Sequence, residues 1–170
     1  MSSRHNFRVL LFAGLLYGGV PSLQAQLGVG DPLPDWAGLA LEGPLPETRD
    51  RVLLVDFWAS WCAPCQASFP DLARMHEDYG SRGVTLVAIS VDRNQRAYEA
   101  FLKKHAPPFA TVRDARQEYI AAVQVQTMPT SFVVGRDRRI RAVFSGYHGE
   151  KTSVAIRAAL EAALADTLTK

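Results

Sequence analysis

Two nearly continuous hydrophobic runs predict the central strands of the fold. One extends from Arg51 to Trp58 and the other from Val84 to Val91. Runs of this kind are typical of strands that are covered on both faces of a sheet. Two further strands are predicted at residues 130–134 and 140–144, and the turn-forming residues 135–138 join them into a hairpin.

Three amphipathic helices are predicted from apolar residues that recur every three or four positions. The first follows Cys65 and ends at Gly80, a residue type common at helix C-termini. The second covers residues 94–104, and the third ends the chain. The apolar stripes are Phe69, Leu72, Met75 and Tyr79 in the first helix, Tyr98, Phe101 and Leu102 in the second, and Ile156, Ala159, Leu160, Ala163 and Leu164 in the third.

Weaker patterns predict a short strand at residues 38–42, another at 109–112 and a helix at 115–123. Strands that alternate with helices imply parallel pairing, whereas the hairpin implies antiparallel pairing. We therefore predict an α/β fold in which helices flank both faces of a mixed central sheet. Residues 26–170 are predicted to form a single domain.

The first 25 residues have the pattern of a secretory signal peptide. Arg4 and Arg8 precede an apolar run at residues 9–20, and Ala25 offers a small residue for cleavage. An uncleaved membrane anchor is the alternative interpretation. The run is shorter than the roughly 20 residues that a spanning helix needs, and glycines interrupt it. We therefore predict export to the periplasm with cleavage near Ala25.

Charge and cysteine content narrow the classes of function. The whole chain has a formal charge of +2, and residues 1–25 contain two arginines and no acidic residue. The remaining chain is therefore neutral, so nucleic-acid binding has no electrostatic support.

The only two cysteines, Cys62 and Cys65, are too close in sequence to gain much stability by closing a loop. Their presence indicates chemistry rather than stabilisation.

The segment Trp61-Cys62-Ala63-Pro64-Cys65 lies where a predicted strand meets a predicted helix. A Cys-x-x-Cys pair at such a junction indicates thiol–disulfide exchange. The unpaired N–H groups and the dipole at a helix N-terminus stabilise a thiolate, which is the attacking species. We therefore assign Cys62 as the nucleophile and Cys65 as the resolving thiol, one helical turn further on.

A zinc site is the competing interpretation of a Cys-x-x-Cys pair. Such a site needs three or four ligands, and the chain has no second cysteine pair. His76, His105 and His148 are scattered without ligand spacing. We expect no metal and no cofactor other than the redox-active Cys62–Cys65 disulfide.

The residues from Val55 to Cys65, Val-Asp-Phe-Trp-Ala-Ser-Trp-Cys-Ala-Pro-Cys, resemble the active-site segment of thioredoxin. The proline-rich segment Gly30–Trp36 and an insertion at about Asp92 to Arg113 resemble the secreted TlpA/ResA branch of that superfamily. The resemblance covers nearly the whole chain after residue 25. It implies a thioredoxin fold with an N-terminal extension and a central β-α insertion.

The resemblance also implies roles for individual residues. Asp56 matches the buried acid that handles protons for the resolving thiol, and burial of a carboxylate in an apolar strand typically raises its pKa. Met128-Pro129 matches the loop whose cis proline faces the disulfide. In the family, Met128 and Pro129 would form a substrate-binding edge with Trp61 and the region of Gly146.

One position departs from the TlpA/ResA pattern. Many members carry a glutamate three residues after the second cysteine, where this chain has Ser68. We therefore expect Asp56 alone to assist proton transfer at Cys65. The resemblance implies a monomeric reductant of client protein disulfides, kept reduced by a membrane thiol donor. Cytochrome c apoproteins, outer-envelope proteins and copper-assembly factors are all compatible clients.

Three alternatives differ in chemistry. A disulfide oxidant or isomerase would share the fold. A peroxidase of the peroxiredoxin type would need a Pro-x-x-x-Thr-x-x-Cys arrangement, which is absent around Cys62. A copper chaperone of this fold typically uses Cys-x-x-x-Cys and a histidine, and the cysteine spacing here is one residue short.

Overall fold

A computed structural model describes residues 26–166 of the chain. The predicted signal peptide and its cleavage point near Ala25 lie outside these residues. The strands are β1 (Val52–Trp58), β2 (Val84–Ser90), β3 (Ala110–Arg113), β4 (Thr130–Val134) and β5 (Ile140–Ser145). The helices are α1 (Ala63–Tyr79), α2 (Gln95–His105), α3 (Glu118–Val123) and α4 (Glu150–Ala165).

The strands form one mixed sheet in the order β3-β2-β1-β4-β5. β1 pairs in parallel with β2, and β2 with β3, whereas β4 is antiparallel to both β1 and β5. Helices flank the sheet, and α4 packs against β1, β4 and β5. The predicted α/β class and thioredoxin architecture are confirmed. Among the described residues, no helix is both long enough and apolar enough to span a bilayer.

Neighbouring residues of β1 organise the core on the two faces of the sheet. Side chains alternate along a strand, so Phe57 and Trp58 point in opposite directions. The Phe57 ring stacks on Tyr119 of α3 at 5.7 Å between centroids. The Trp58 ring contacts Phe69 of α1 at 4.8 Å and Phe101 of α2 at 4.5 Å. Both faces are thus covered, which explains why all seven residues of β1 are buried.

Two predicted elements differ from the structure. Residues 38–42 do not form a strand, and only Glu42 makes an isolated bridge, to Arg113. The helix predicted at 115–123 begins only at Glu118. The Asp114 carboxylate accepts the backbone N–H groups of Glu118 and Ile120, so the preceding residues form a turn around that carboxylate.

The predicted end of α1 at Gly80 is confirmed, and the left-handed turn that follows is made by Gly83. Gly80 follows α1 as predicted but keeps right-handed helical angles and begins a 3₁₀ turn, Gly80–Arg82. Gly83 adopts φ +104°, the left-handed conformation that favours glycine, and leads directly into β2. The chain therefore forms one tighter 3₁₀ turn between the end of α1 and the start of β2.

Candidate active site

Cys62 and Cys65 lie at the junction between β1 and α1 and form a disulfide, with 5.2 Å between their Cα atoms. Cys62 is the N-cap of α1, and the Cys65 backbone N–H points at the Cys62 sulfur over 3.2 Å. A negative charge on the Cys62 sulfur would therefore meet an N–H donor and the positive end of the helix dipole. Pro64 lies in the first turn, where its missing N–H removes no helix hydrogen bond.

The two cysteines differ in access to solvent. Cys65 is completely enclosed, whereas Cys62 keeps a small exposed surface. The side chain next to Cys62, Trp61, is 69% exposed. In residues 26–166, Trp61 takes part in no side-chain hydrogen bond or aromatic pair. An incoming sulfur can thus approach Cys62 beside an apolar surface, while Cys65 is reached only from within the protein.

A buried carboxylate that the sequence analysis did not single out holds the loop before Cys62. Asp92 follows β2, is 2% exposed and accepts from the Ser60 N–H and the Ser60 hydroxyl, both at 2.8 Å. The Ser90 hydroxyl also donates to Asp92, at 2.7 Å. Gln66 of α1 donates to the Ser60 carbonyl at 2.9 Å. Ser60 is therefore fixed through its N–H, hydroxyl and carbonyl, two residues before Cys62.

Arg113 of β3 connects Asp92 with the segment before β1. Its guanidinium donates to the carbonyls of Asp92 and Arg93 and forms an ion pair with Glu42. Glu42 and Arg113 also exchange both backbone hydrogen bonds, at 2.8 and 2.9 Å. The backbone position of Asp92 is thus tied to the residues that precede the first strand.

Asp56 lies in the middle of β1 and is 1% exposed. Strand alternation places it on the same face as Trp58, which α1 covers. Its Oδ1 accepts from the Ser131 hydroxyl at 2.6 Å, while its Oδ2 has no partner in the described structure. Burial raises the pKa of Asp56 to about 7, and the hydrogen bond from Ser131 opposes this rise. Asp56 can therefore exchange a proton near neutral pH.

The predicted substrate-binding residues are brought together in part. The Met128–Pro129 peptide bond is cis, as the resemblance implies. The Gly146 N–H donates to the Pro129 carbonyl at 2.7 Å, which joins the two loops at this end of β4 and β5. Trp61 makes no hydrogen bond to Met128 or Pro129 in the described residues.

Ser68 occupies the position where the family often has a glutamate. It is buried, and its hydroxyl donates to the Cys65 carbonyl at 2.9 Å. One turn further along α1, Asp71 accepts from Tyr147, Ser153 and Arg74. The carboxylate on this face of α1 therefore lies three residues later than the family pattern predicts.

Between residues 26 and 166, no group of three His, Cys, Asp or Glu side chains is arranged to hold an ion. The chemistry that the site can perform on its own is exchange between thiols and disulfides, with Asp56 available for the proton.

Comparison with known proteins gives one consistent result. A family model described as Thioredoxin-like matches residues 50–140. Thiol-disulfide oxidoreductase ResA of Bacillus cereus (strain ATCC 10987 / NRS 248) is 28% identical over 128 residues, which are 74% of each protein. ResA of Bacillus subtilis (strain 168) is 29% identical over 114 residues, which are 67% of this chain and 63% of that protein.

Solved structures agree with these relatives. A protein described as a thiol:disulfide interchange protein DsbE from Chlorobium tepidum superposes with a TM-score of 0.75 at 31% identity, over 81% of this chain and 99% of that chain. StoA from Bacillus subtilis gives a TM-score of 0.58 at 25% identity, over 65% of this chain and 83% of that chain.

Proposed function

The chain belongs to the thioredoxin-like family and is a thiol–disulfide oxidoreductase of the ResA and DsbE kind, and on that premise we propose that it reduces disulfides of protein clients in the periplasm. Cys62 is the nucleophile, Cys65 the resolving thiol and Asp56 the proton acceptor. The observation that supports this assignment most directly is the contrast in access: Cys62 keeps a small exposed surface beside the exposed Trp61, whereas Cys65 is enclosed. The buried Asp56, with a pKa of about 7, supports the assigned proton step.

The reaction starts from the dithiol form. The Cys62 thiolate attacks one sulfur of the client disulfide, forms a mixed disulfide and releases one client thiolate, which takes up a proton. Cys65 then gives its proton to Asp56, and the resulting thiolate attacks the Cys62 sulfur. The second client thiolate leaves and is protonated. The client has gained two electrons and two protons, and the Cys62–Cys65 disulfide is formed.

Binding of the client is assigned to the surface around Cys62. Trp61 offers an exposed apolar ring, and Met128, Pro129 and Gly146 form the loop pair at the end of β4 and β5. An extended client segment beside this loop would bring its disulfide to Cys62. The protein acts as a monomer in this proposal, since one chain contains all the groups named.

Turnover requires a source of electrons. We assign this role to a membrane thiol donor that reduces the Cys62–Cys65 disulfide by the reverse exchange. Export is supported by the basic and apolar pattern of residues 1–25. In an oxidising compartment, a reductant must be recharged by such a donor after every cycle.

Trapping tests the proposal. Cys65→Ser removes the resolving thiol, so mixed disulfides between clients and Cys62 should accumulate in intact cells and be identifiable by mass spectrometry. Cys62→Ser is the matched control and should trap no client. If Cys65→Ser traps no protein in an intact cell envelope, protein disulfides are not the substrate.

The direction of electron flow has its own test. A reductant should have a reduction potential near that of thioredoxin, about −270 mV, whereas a value near that of DsbA, about −120 mV, would identify an oxidant.

Asp56→Asn tests the proton step. Loss of the Asp56 carboxylate should slow resolution of the mixed disulfide by about 100-fold near neutral pH, the low end for general acid–base catalysis. If the pH profile of this step is unchanged, Asp56 does not have the proposed role.

A further inference from the structure

Asp56 poses a problem of proton release. If it accepts the Cys65 proton, as in the proposed function on which this inference rests, that proton must leave before the next cycle. Asp56 is 1% exposed and its one described hydrogen-bond partner is Ser131. Direct exchange with bulk water is therefore blocked by the packing of the sheet and α1.

A small cavity begins at Ser131, and both polar and apolar side chains line it. It lies between α1, the ends of β4 and β5, and α4, and Ser68, Asp71 and Tyr147 line it together with Ser131. About 10 Å³ is open to the centre of a water molecule, which is the room that one water needs. A buried water also needs two to four polar partners, and the two serine hydroxyls and the Asp71 carboxylate supply them.

Asp71 connects this cavity with the surface. Its side chain is 14% exposed and accepts from the Tyr147 hydroxyl at 2.5 Å. It also lines an open surface groove together with Glu150 and Arg157 of α4 and Arg74 of its own helix. These are the charged groups that face Asp71, and Arg74 forms an ion pair with it. One carboxylate therefore belongs to both the buried cavity and the solvent-filled groove.

We propose that Ser131, one water molecule in this cavity and Asp71 form a proton relay between Asp56 and solvent. A proton on Oδ1 of Asp56 passes to the Ser131 oxygen while the Ser131 hydrogen passes to the water. The water in turn gives one hydrogen to the Asp71 carboxylate, which releases a proton to the groove. Asp56 returns to the carboxylate form, and no electrons move. Reduction of the Cys62–Cys65 disulfide by the donor drives the same transfers inward.

The relay explains how this chain functions without the family glutamate. Ser68 has no carboxylate that could accept a proton. Its small side chain leaves room for the water between Ser131 and Asp71. Asp71 is thus a positioned proton carrier rather than a residue that touches the reacting sulfurs.

The test measures the resolving step in the full-length protein. Reduced protein is mixed with a peptide disulfide, and tryptophan fluorescence follows formation of Cys62–Cys65 in H₂O and D₂O. Asp71→Asn should slow resolution near neutral pH by about tenfold and increase the solvent isotope effect, because proton release becomes limiting. Glu77→Gln is the matched control, since Glu77 is an exposed acid on the same helix and lines neither the cavity nor the groove. It should leave both values unchanged.

A second variant covers the case in which Asp71→Asn fails to fold. Ser68→Val places methyl groups in the cavity, excludes the water and should produce the same slow resolution and larger isotope effect. The relay is wrong if the folded variants resolve at the wild-type rate with an unchanged isotope effect while Asp56→Asn remains slow. If Asp56→Asn is also as fast as wild type, the proposed role of Asp56 is wrong and the relay with it.

Discussion

Two buried carboxylates, one in β1 and one shortly after β2, illustrate how hydrogen-bond partners decide the role of a side chain. Asp56 lies in β1 and Asp92 two residues after the end of β2, and they are 1% and 2% exposed. Asp92 accepts from three donors, the N–H and hydroxyl of Ser60 and the hydroxyl of Ser90. Within residues 26–166, Asp56 accepts from Ser131 alone and leaves Oδ2 without a partner.

The comparison teaches that burial by itself assigns no role to a carboxylate. A buried charge with donors on both oxygens can hold a loop, because each donor would lose its partner if the carboxylate were removed. A buried charge with one donor is costly to ionise, so burial raises its pKa, in Asp56 to about 7. The first arrangement stabilises the approach to Cys62, and the second provides a proton acceptor.

The largest expected effect is on stability. The pKa of Asp56 is raised from 3.8 to about 7 in the folded protein. Between these values the unfolded chain has released the proton and the folded protein still holds it, so stability falls as pH rises. Asp56→Asn removes this penalty and should raise the free energy of unfolding by up to about 4 kcal/mol above pH 7, with little gain near pH 4. Urea unfolding of the oxidised protein at several pH values measures it. An equal gain at all pH values would contradict the assigned pKa.

The same substitution at the other carboxylate should have the opposite sign. Asp92→Asn replaces one acceptor oxygen by an NH₂ group that faces the donors of Ser60 or Ser90. We expect a loss of about 3 kcal/mol in the free energy of unfolding, since a buried donor without an acceptor costs about 1–3 kcal/mol. Urea unfolding at pH 7 measures it. If Asp92→Asn were neutral or stabilising, the distinction between the two carboxylates would fail.

A smaller effect should follow from removing Ser131, the one hydrogen-bond partner of Asp56 in the described part of the chain. The hydrogen bond from Ser131 favours the ionised form, so Ser131→Ala should raise the pKa of Asp56 further. A hydrogen bond to a charged group contributes about 1.5 kcal/mol, which corresponds to about one pH unit. Infrared titration of the Asp56 carboxyl band, identified by its loss in Asp56→Asn, measures the shift. A fall in the pKa would show that Ser131 does not stabilise the carboxylate.

The smallest expected effect concerns Ser60. Ser60→Ala removes the hydroxyl donor but keeps the N–H donor to Asp92, so the free energy of unfolding should fall by about 1 kcal/mol. Ser60→Gly also removes the hydroxyl and adds backbone freedom, so it should cost more. Urea unfolding of both variants at pH 7 compares them. Equal losses would show that the hydroxyl, rather than the backbone, is the whole contribution of this residue.

Much of the fold could be predicted because burial on both faces requires continuous apolar strands. The runs at residues 51–58 and 84–91 predict β1 and β2 within one or two residues. The shorter elements could not be located as well. The start of α3 depends on the Asp114 carboxylate, and the 3₁₀ turn that separates the predicted helix end at Gly80 from β2 closes at Gly83. Both depend on local hydrogen bonds that hydrophobic periodicity does not record.

The site could be predicted where a motif carries it. Cys62 and Cys65 are recognisable from their spacing and Asp56 from the resemblance to the thioredoxin segment, whereas Ser131 and Asp71 belong to no motif. Ser131 matters because the β1–β4 register places it opposite Asp56. The proximity of Asp92 to Ser60 could have been predicted. Both residues follow parallel neighbouring strands, and the ends of these strands lie at the same edge of the sheet. Residue type alone did not reveal that the two would meet.

The contacts of Arg113 set a limit on how this protein can be shortened or recombined. A fragment that began at Thr48 would keep all five strands, both cysteines and Asp56. It would nevertheless lose Glu42, whose ion pair and backbone bonds hold Arg113 against the Asp92 carbonyl. The segment that contains Glu42 and the insertion that contains Arg113 therefore depend on each other structurally. An exchange between relatives that transferred one without the other would loosen the loop that presents Cys62.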